Sequence, residues 1–304
     1  MRLRIAMAAA ALLAASCGNP EEIGPWPDGA SLWGGSMAWS DTSLAWSPFG
    51  NVILFSTYGA NGSPCIYGFD GIGEPSLRTF TAFDEFVGPW GCWSDTLGRI
   101  IYAAVHEDGE SEIRSIPGNG TAVELILADS LRSVYPSWNP AGDSIVFCTE
   151  TAGAFCLRVM EYAEPDPQIL YQPSGDCLRP SWSPDGSWIL FQYREGDQSD
   201  IWLVRPDGSD PHAVLTGSSD DVQPCWGPYD GWIAFSSDRT GNYEVWLYDI
   251  DGDRLVQVTD DPSSDLYPAW NPSNEWIAFC SDRYAGEGEY DIFSIHEPDE
   301  EYGD

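Results

Sequence analysis

The chain writes a tryptophan followed by a tight-turn signal six times at nearly constant spacing. The anchors are Trp46-Ser47-Pro48, Trp93-Ser94-Asp95, Trp138-Asn139-Pro140, Trp182-Ser183-Pro184, Trp226-Gly227-Pro228 and Trp270-Asn271-Pro272. Successive tryptophans lie 47, 45, 44, 44 and 44 residues apart. A period in the forties, with strands and turns inside each unit, is what propeller blades require.

The register also holds inside the units. Nine residues after each anchor stand Phe55, Tyr102, Phe147, Phe191, Phe235 and Phe279, and the residue just before each anchor is small: Ala45, Cys92, Ser137, Ser181, Cys225 and Ala269. Small beside large at matched positions suits closely packed neighbouring sheets. In the best-formed unit, Gln223–Trp226, Trp232–Ser236, Glu244–Asp249 and Leu255–Thr259 read as four short strands with Gly, Asp, Asn and Pro at their corners. Helical periodicity is absent after the N-terminus. The expected fold is all-β, a six-bladed propeller of four-stranded antiparallel blades over residues 30–296. The sixth unit lacks a fourth strand, and Ala30–Gly34 is expected to supply it, closing the ring and removing exposed sheet edges.

The run Pro180-Ser181-Trp182-Ser183-Pro184-Asp185-Gly186, with Trp188-Ile189-Leu190-Phe191 and Asp200-Ile201-Trp202-Leu203 after it, resembles the TolB-type propeller repeat. Leu215-Thr216 and Val258-Thr259 match the closing strand of that family, and Ser237-Asp238-Arg239 and Ser281-Asp282-Arg283 its second-to-third strand turn. The resemblance spans all six units and is strongest in the last three. It is to the repeat family, without the α/β domain that precedes the propeller in TolB itself.

Arg2 and Arg4 precede an apolar stretch, Ile5–Ala15, that is too short to span a bilayer, which needs about 20 apolar residues. It reads as a secretory signal over residues 1–16. Leu13-Ala14-Ala15-Ser16-Cys17 resembles a bacterial lipobox, which implies lipidation at Cys17. Gly18 after that cysteine implies sorting to the outer membrane, facing the periplasm or the cell surface. Residues 17–29 then form a linker and 297–304 an acidic tail.

The formal charge is −35, and all thirteen basic residues are arginines. Such a surface repels phosphate backbones and anionic lipid heads, so nucleic acid is excluded as a partner and the lipid is the membrane link. Seven cysteines remain after Cys17. Cys92, Cys225, Cys148 and Cys280 occupy repeat slots that suit small buried thiols. Cys148 and Cys156 could instead pair across one hairpin.

His106, His212 and His296 sit at different places in their repeats and are not expected to converge on a metal. Motifs for a hydrolase elbow or a phosphate loop are absent. Asp249-Ile250-Asp251-Gly252-Asp253 reads as turn chemistry, because its glycine falls too early for a calcium loop. If the first strand of each blade lines the channel, the loops entering it share a face with the second-to-third strand turns. That face carries Asp41, Asp176, Asp221 and Asp265, with Asp238-Arg239 and Asp282-Arg283 from the turns. Three residues before the anchors it adds Trp90, Tyr135, Arg179, Gln223 and Tyr267. These residues form a candidate mouth for a cation, sugar or peptide, although Asp and Arg in turns also cap backbone groups and pair locally.

The leading expectation is a monomeric, non-enzymatic, lipid-anchored envelope propeller that binds a protein or peptide. The alternative is a glycan-binding protein or carbohydrate-active enzyme at the same mouth. No cofactor is expected, apart from a structural calcium ion.

Overall fold

The structure is a computed structural model that describes residues 31–37, 44–48, 50, 52–58, 64–70, 76–79, 87–94, 96–106, 109–119, 122–228, 231–272, 276–283 and 290–296. The signal segment, Cys17, the linker, Asp41 and the acidic tail lie outside these residues. Among the described residues there is no helix.

The chain opens with β1 (Ser31–Met37). A first blade follows, made of β2 (Leu44–Trp46), β3 (Val52–Tyr58), β4 (Pro64–Asp70) and β5 (Ser76–Thr79). The second comprises β6 (Val87–Ser94), β7 (Arg99–Val105), β8 (Ser111–Pro117) and β9 (Glu124–Asp129). The third comprises β10 (Ser133–Trp138), β11 (Ser144–Thr151), β12 (Ala154–Glu161) and β13 (Gln168–Tyr171). The fourth has β14 (Asp176–Trp182), β15 (Ile189–Glu195), β16 (Gln198–Val204) and β17 (His212–Leu215). The fifth has β18 (Asp221–Trp226), β19 (Trp232–Ser237), β20 (Glu244–Asp249) and β21 (Arg254–Gln257). Within each blade, consecutive strands pair antiparallel.

The expectation of six equivalent blades needs correcting. Among the described residues five blades are uninterrupted units of chain, and the remaining four-stranded sheet is the composite that the missing fourth strand implied. It joins β22 (Asp265–Trp270), β23 (Trp276–Ser281) and β24 (Tyr290–His296) to β1, in the order β1-β24-β23-β22. The joining strand runs three residues past the expected Gly34, and its register slips twice, between Leu32 and Gly34 and between Gly34 and Met37. A strand with Gly34 and Gly35 at its centre has little side chain to pin a register.

The core lies between neighbouring sheets. The residues nine after the anchors fill it: Phe147, Phe191, Phe235 and Phe279 are fully buried, and Tyr102 and Phe55 nearly so. Each such burial stabilises by about 1.5–3 kcal/mol. The composite sheet packs on the fifth blade through Phe279, Phe293 and Leu247. It packs on the first blade through Ala269, Ala278, Ile292, Trp46 and Phe55. Two polar contacts fasten the same seam: the Trp46 indole donates to the Ala269 carbonyl at 2.9 Å, and Asn271 donates to the Gly50 carbonyl at 3.1 Å. Gly50 has a positive φ of 64°, and any Cβ there would lie 2.5 Å from the Asn271 side chain.

Candidate functional site

The positions three before the anchors hold the most unusual backbone in the ring. Tyr135, Arg179, Gln223 and Tyr267 are all left-handed, with φ of 55°, 53°, 56° and 58°. Each lies where the pairing of the first strand with the second slips, between Val134 and Ser137, Leu178 and Ser181, Val222 and Cys225, and Leu266 and Ala269. Each is followed by a proline, which has no N–H to lose from the ladder. Left-handed non-glycine residues cost about 1–3 kcal/mol apiece and persist only where their surroundings hold them. Side chains from the preceding blade hold two of them. Gln192 accepts from the Gln223 N–H at 3.2 Å, and Gln223 in turn accepts from the Tyr267 N–H at 2.7 Å.

These bulges turn all four side chains to the central channel, a cavity of about 500 Å³. Its wall runs from this ring through four prolines (Pro136, Pro180, Pro224 and Pro268) and the small residues before the anchors to the anchor tryptophans. The small residues are thus explained by the channel: they line it, and Ser181 and Ala269 also present carbonyls to anchor indoles of the following blade. The Arg179 guanidinium carbon lies 4.8 Å from the ring centre of Tyr135 and 4.8 Å from that of Tyr267, two sheets further round. Six other arginines, at 99, 114, 132, 194, 239 and 283, meet carboxylates. Arg179 meets no carboxylate among the described residues.

The acidic and arginine candidates are used differently. Asp221 stands opposite Ser237 in the β18–β19 ladder, as Asp265 stands opposite Ser281 in β22–β23. Two residues beyond each serine an arginine folds back. Arg239 donates to Ser237 Oγ at 2.8 Å and to Asp221 at 2.7 Å. Arg283 donates to Ser281 Oγ at 2.9 Å and to Asp265 at 2.7 Å. Each guanidinium also covers the buried phenylalanine of its own blade, Phe235 or Phe279. The Arg283 side chain is 4% exposed and that of Asp265 0%, so neither can reach a ligand. Burial raises the Asp265 carboxyl to about 7, against the opposing pull of Arg283.

Asp238 and Asp282 accept from the backbone N–H groups of Asp220 and Ser264, both at 2.8 Å, tying each entering loop to its blade. Asp176 accepts from the Phe155 N–H of the preceding blade at 2.9 Å and pairs with Arg194. Its true counterpart is Asp220, which accepts from the Ser199 N–H at 2.8 Å. That explains why Asp176 sits one place off the register of the other acids. Sequence reasoning missed Asp220, Gln192 and the buried Glu244, whose carboxyl desolvation raises and Thr259 and Asn242 hydrogen-bond. The recurrence of acid six before the anchor, in Asp176 and Asp220, was the available signal. Trp90 lies in β6, and its side chain is outside the described set.

Cys148 and Cys156 are both free. Cys148 is opposite Leu157 and Cys156 opposite Thr149, so the two thiols point to opposite faces of the hairpin and the candidate disulfide is corrected. Burial raises the Cys148, Cys177 and Cys225 thiols, the last to about 11. In the 249–253 turn, Asp249 accepts from the N–H groups of Asp251 and Gly252, both at 3.0 Å. Among the described residues no three His, Cys, Asp or Glu side chains are grouped to hold a metal ion.

No protein-family model matches the chain, and no curated protein sequence matches it. Solved structures do match. A protein described as TolB from Agrobacterium tumefaciens is 22% identical, with a TM-score of 0.67 over 84% of this chain and 90% of that one. TolB from Acinetobacter baumannii is 16% identical, with a TM-score of 0.63 over 84% of this chain and 63% of its own. An oligogalacturonate lyase in complex with manganese is 13% identical, with a TM-score of 0.62 over 89% and 93%. At these identities the likeness establishes the fold, an all-β propeller of the TolB-like kind with four-stranded antiparallel blades.

Proposed function

We propose that this protein is a propeller scaffold of the bacterial envelope, lipid-anchored through Cys17, that binds a protein or peptide at its channel without catalysing a reaction. The observation that carries the reading is the channel itself. Its volume of about 500 Å³ falls in the range of ligand sites, and its wall is aromatic, proline-rich and apolar with few polar groups. The described acidic residues and the other candidate arginines on the same face are spent on one another and on backbone N–H groups, which leaves the ring of Tyr135, Arg179, Gln223 and Tyr267 as the binding surface. The TolB-like fold supports an envelope scaffold.

The test is affinity capture of the intact protein from its own envelope, comparing Ser181→Trp, which fills the channel, with Asp238→Ala, which removes a loop cap. Partners are expected to be lost with the first and kept with the second. Recovery of the same partners after the channel is filled would sink the reading. Anchoring is checked separately by lipid labelling, expected to vanish in Cys17→Ser.

One observation favours the glycan alternative, the likeness over nearly the full length of an oligogalacturonate lyase. Loss of chain length in oligogalacturonate incubated with the protein would replace the scaffold reading with that one.

A further inference from the structure

The channel ring contains a cation that meets no carboxylate among the described residues. Arg179 is half-buried, it contacts two tyrosine rings, and its guanidinium N–H groups have no acceptor on the protein among the described residues. In a chain of formal charge −35, with 48 acidic residues against 13 basic ones, this is a costly arrangement to leave unused. Carboxylates were available on the same face at Asp176, Asp221 and Asp265. The neighbouring arginines took them, and Arg179 did not.

The ring contacts explain how the charge is kept without a counter-ion. Tyrosine faces attract a guanidinium through their quadrupole and remove it partly from water, yet they satisfy none of its hydrogen-bond donors. What remains is a planar fork of donors at the channel, preorganised by Tyr135 and Tyr267 and by the left-handed backbone of Arg179 itself. That fork matches a carboxylate, which it can grip with two parallel charge-assisted hydrogen bonds.

We propose that Arg179 is the anchor for the free C-terminal carboxylate of a peptide whose last residue is apolar. The inference rests on the peptide-binding reading above and names the group recognised. The apolar terminal side chain would lie against the prolines and anchor tryptophans that form the wall below Arg179. The surrounding charge selects against a polyanion such as a uronate chain. Each added carboxylate meets the field of the acidic face, which salt screens only beyond about 8 Å. A single terminal carboxylate meets that field once and is matched by the Arg179 guanidinium, which faces no carboxylate among the described residues.

The experiment uses the full-length protein, immobilised, and two pools of randomised hexapeptides ending in Leu or Phe. One pool carries free C-terminal carboxylates and the other carboxamides. The wild-type protein is expected to retain the acid pool roughly 10- to 100-fold better than the amide pool, the range that charge-assisted hydrogen bonds supply. Arg179→Gln should bring the ratio to near one, with unfolding followed in parallel to show that the variant is folded. Tyr267→Leu should lower it in part. Equal retention of both pools by the wild-type protein would overturn the carboxylate anchor while leaving peptide binding in place. Retention of neither pool would overturn the peptide reading and this inference together. Binding of oligogalacturonate that is lost in Arg179→Gln, with both peptide pools ignored, would reassign the anchor to an acidic sugar.

Discussion

Arg179 and Arg283 belong to the same face of the same ring, and the molecule uses them in opposite ways. Arg283 is sealed between Asp265, Asp261 and two phenylalanine rings, and it donates to Ser281 and Asp265 of its own sheet. Arg179 projects from a bulge into the channel, between two tyrosines and facing no carboxylate among the described residues. Residue type does not separate them; position in the blade does. An arginine two places beyond the second strand folds back onto its own sheet, because the ladder sets an acid opposite the serine before it. A residue at the first-strand bulge has no such partner and turns inward. A charged side chain at a propeller mouth is therefore informative only once its place relative to the bulge is known.

The larger stability effect is expected at Arg283. Above about pH 8, where Asp265 is ionised, Arg283→Gln leaves the buried carboxylate without its cation and should cost about 3–5 kcal/mol in denaturant unfolding. A loss below about 1 kcal/mol would show that the pair is ornamental. A second effect depends on pH. Because burial raises Asp265 to about 7, its carboxyl favours the folded state fully below the unfolded carboxylate range, near about pH 4. That contribution is lost as pH climbs through 7. The unfolding free energy of the wild-type protein, measured relative to Asp265→Asn, should fall between about pH 4 and about pH 8. A difference independent of pH would contradict the buried-acid account. The smallest effect sharpens the distinction between capping and binding. Asp282→Ala removes one carboxylate acceptor from the Ser264 N–H and should cost about 1 kcal/mol in unfolding, with peptide retention unchanged. Lost retention would bring the capping acids back into the site.

Much of this was legible in the sequence, for particular reasons. The slot of Phe55, Tyr102, Phe147, Phe191, Phe235 and Phe279 recurs because every sheet must bury one large ring against the next, so a fixed offset was a structural necessity. The local pairing of Asp221 with Arg239 was foreseeable as turn chemistry. What the sequence concealed was the bulge. Tyr135-Pro136, Arg179-Pro180, Gln223-Pro224 and Tyr267-Pro268 repeat in plain view, but a residue before proline is ordinarily extended rather than left-handed. The left-handed state is imposed by tertiary contacts such as Gln192 to Gln223, which only the assembled ring supplies. The Cys148–Cys156 pairing failed for a related reason. Proximity across a hairpin could be read, whereas the one-residue register that decides the face could not.

A channel arginine held for a ligand and not for the fold predicts different unfolding free energies for Arg179→Gln and Arg283→Gln, measured side by side. Two ring contacts are all that the fold forfeits at Arg179, so a loss of at most about 1.5 kcal/mol is expected there, well short of the cost at Arg283. Equal losses in the two variants would contradict the account and make Arg179 one more structural arginine.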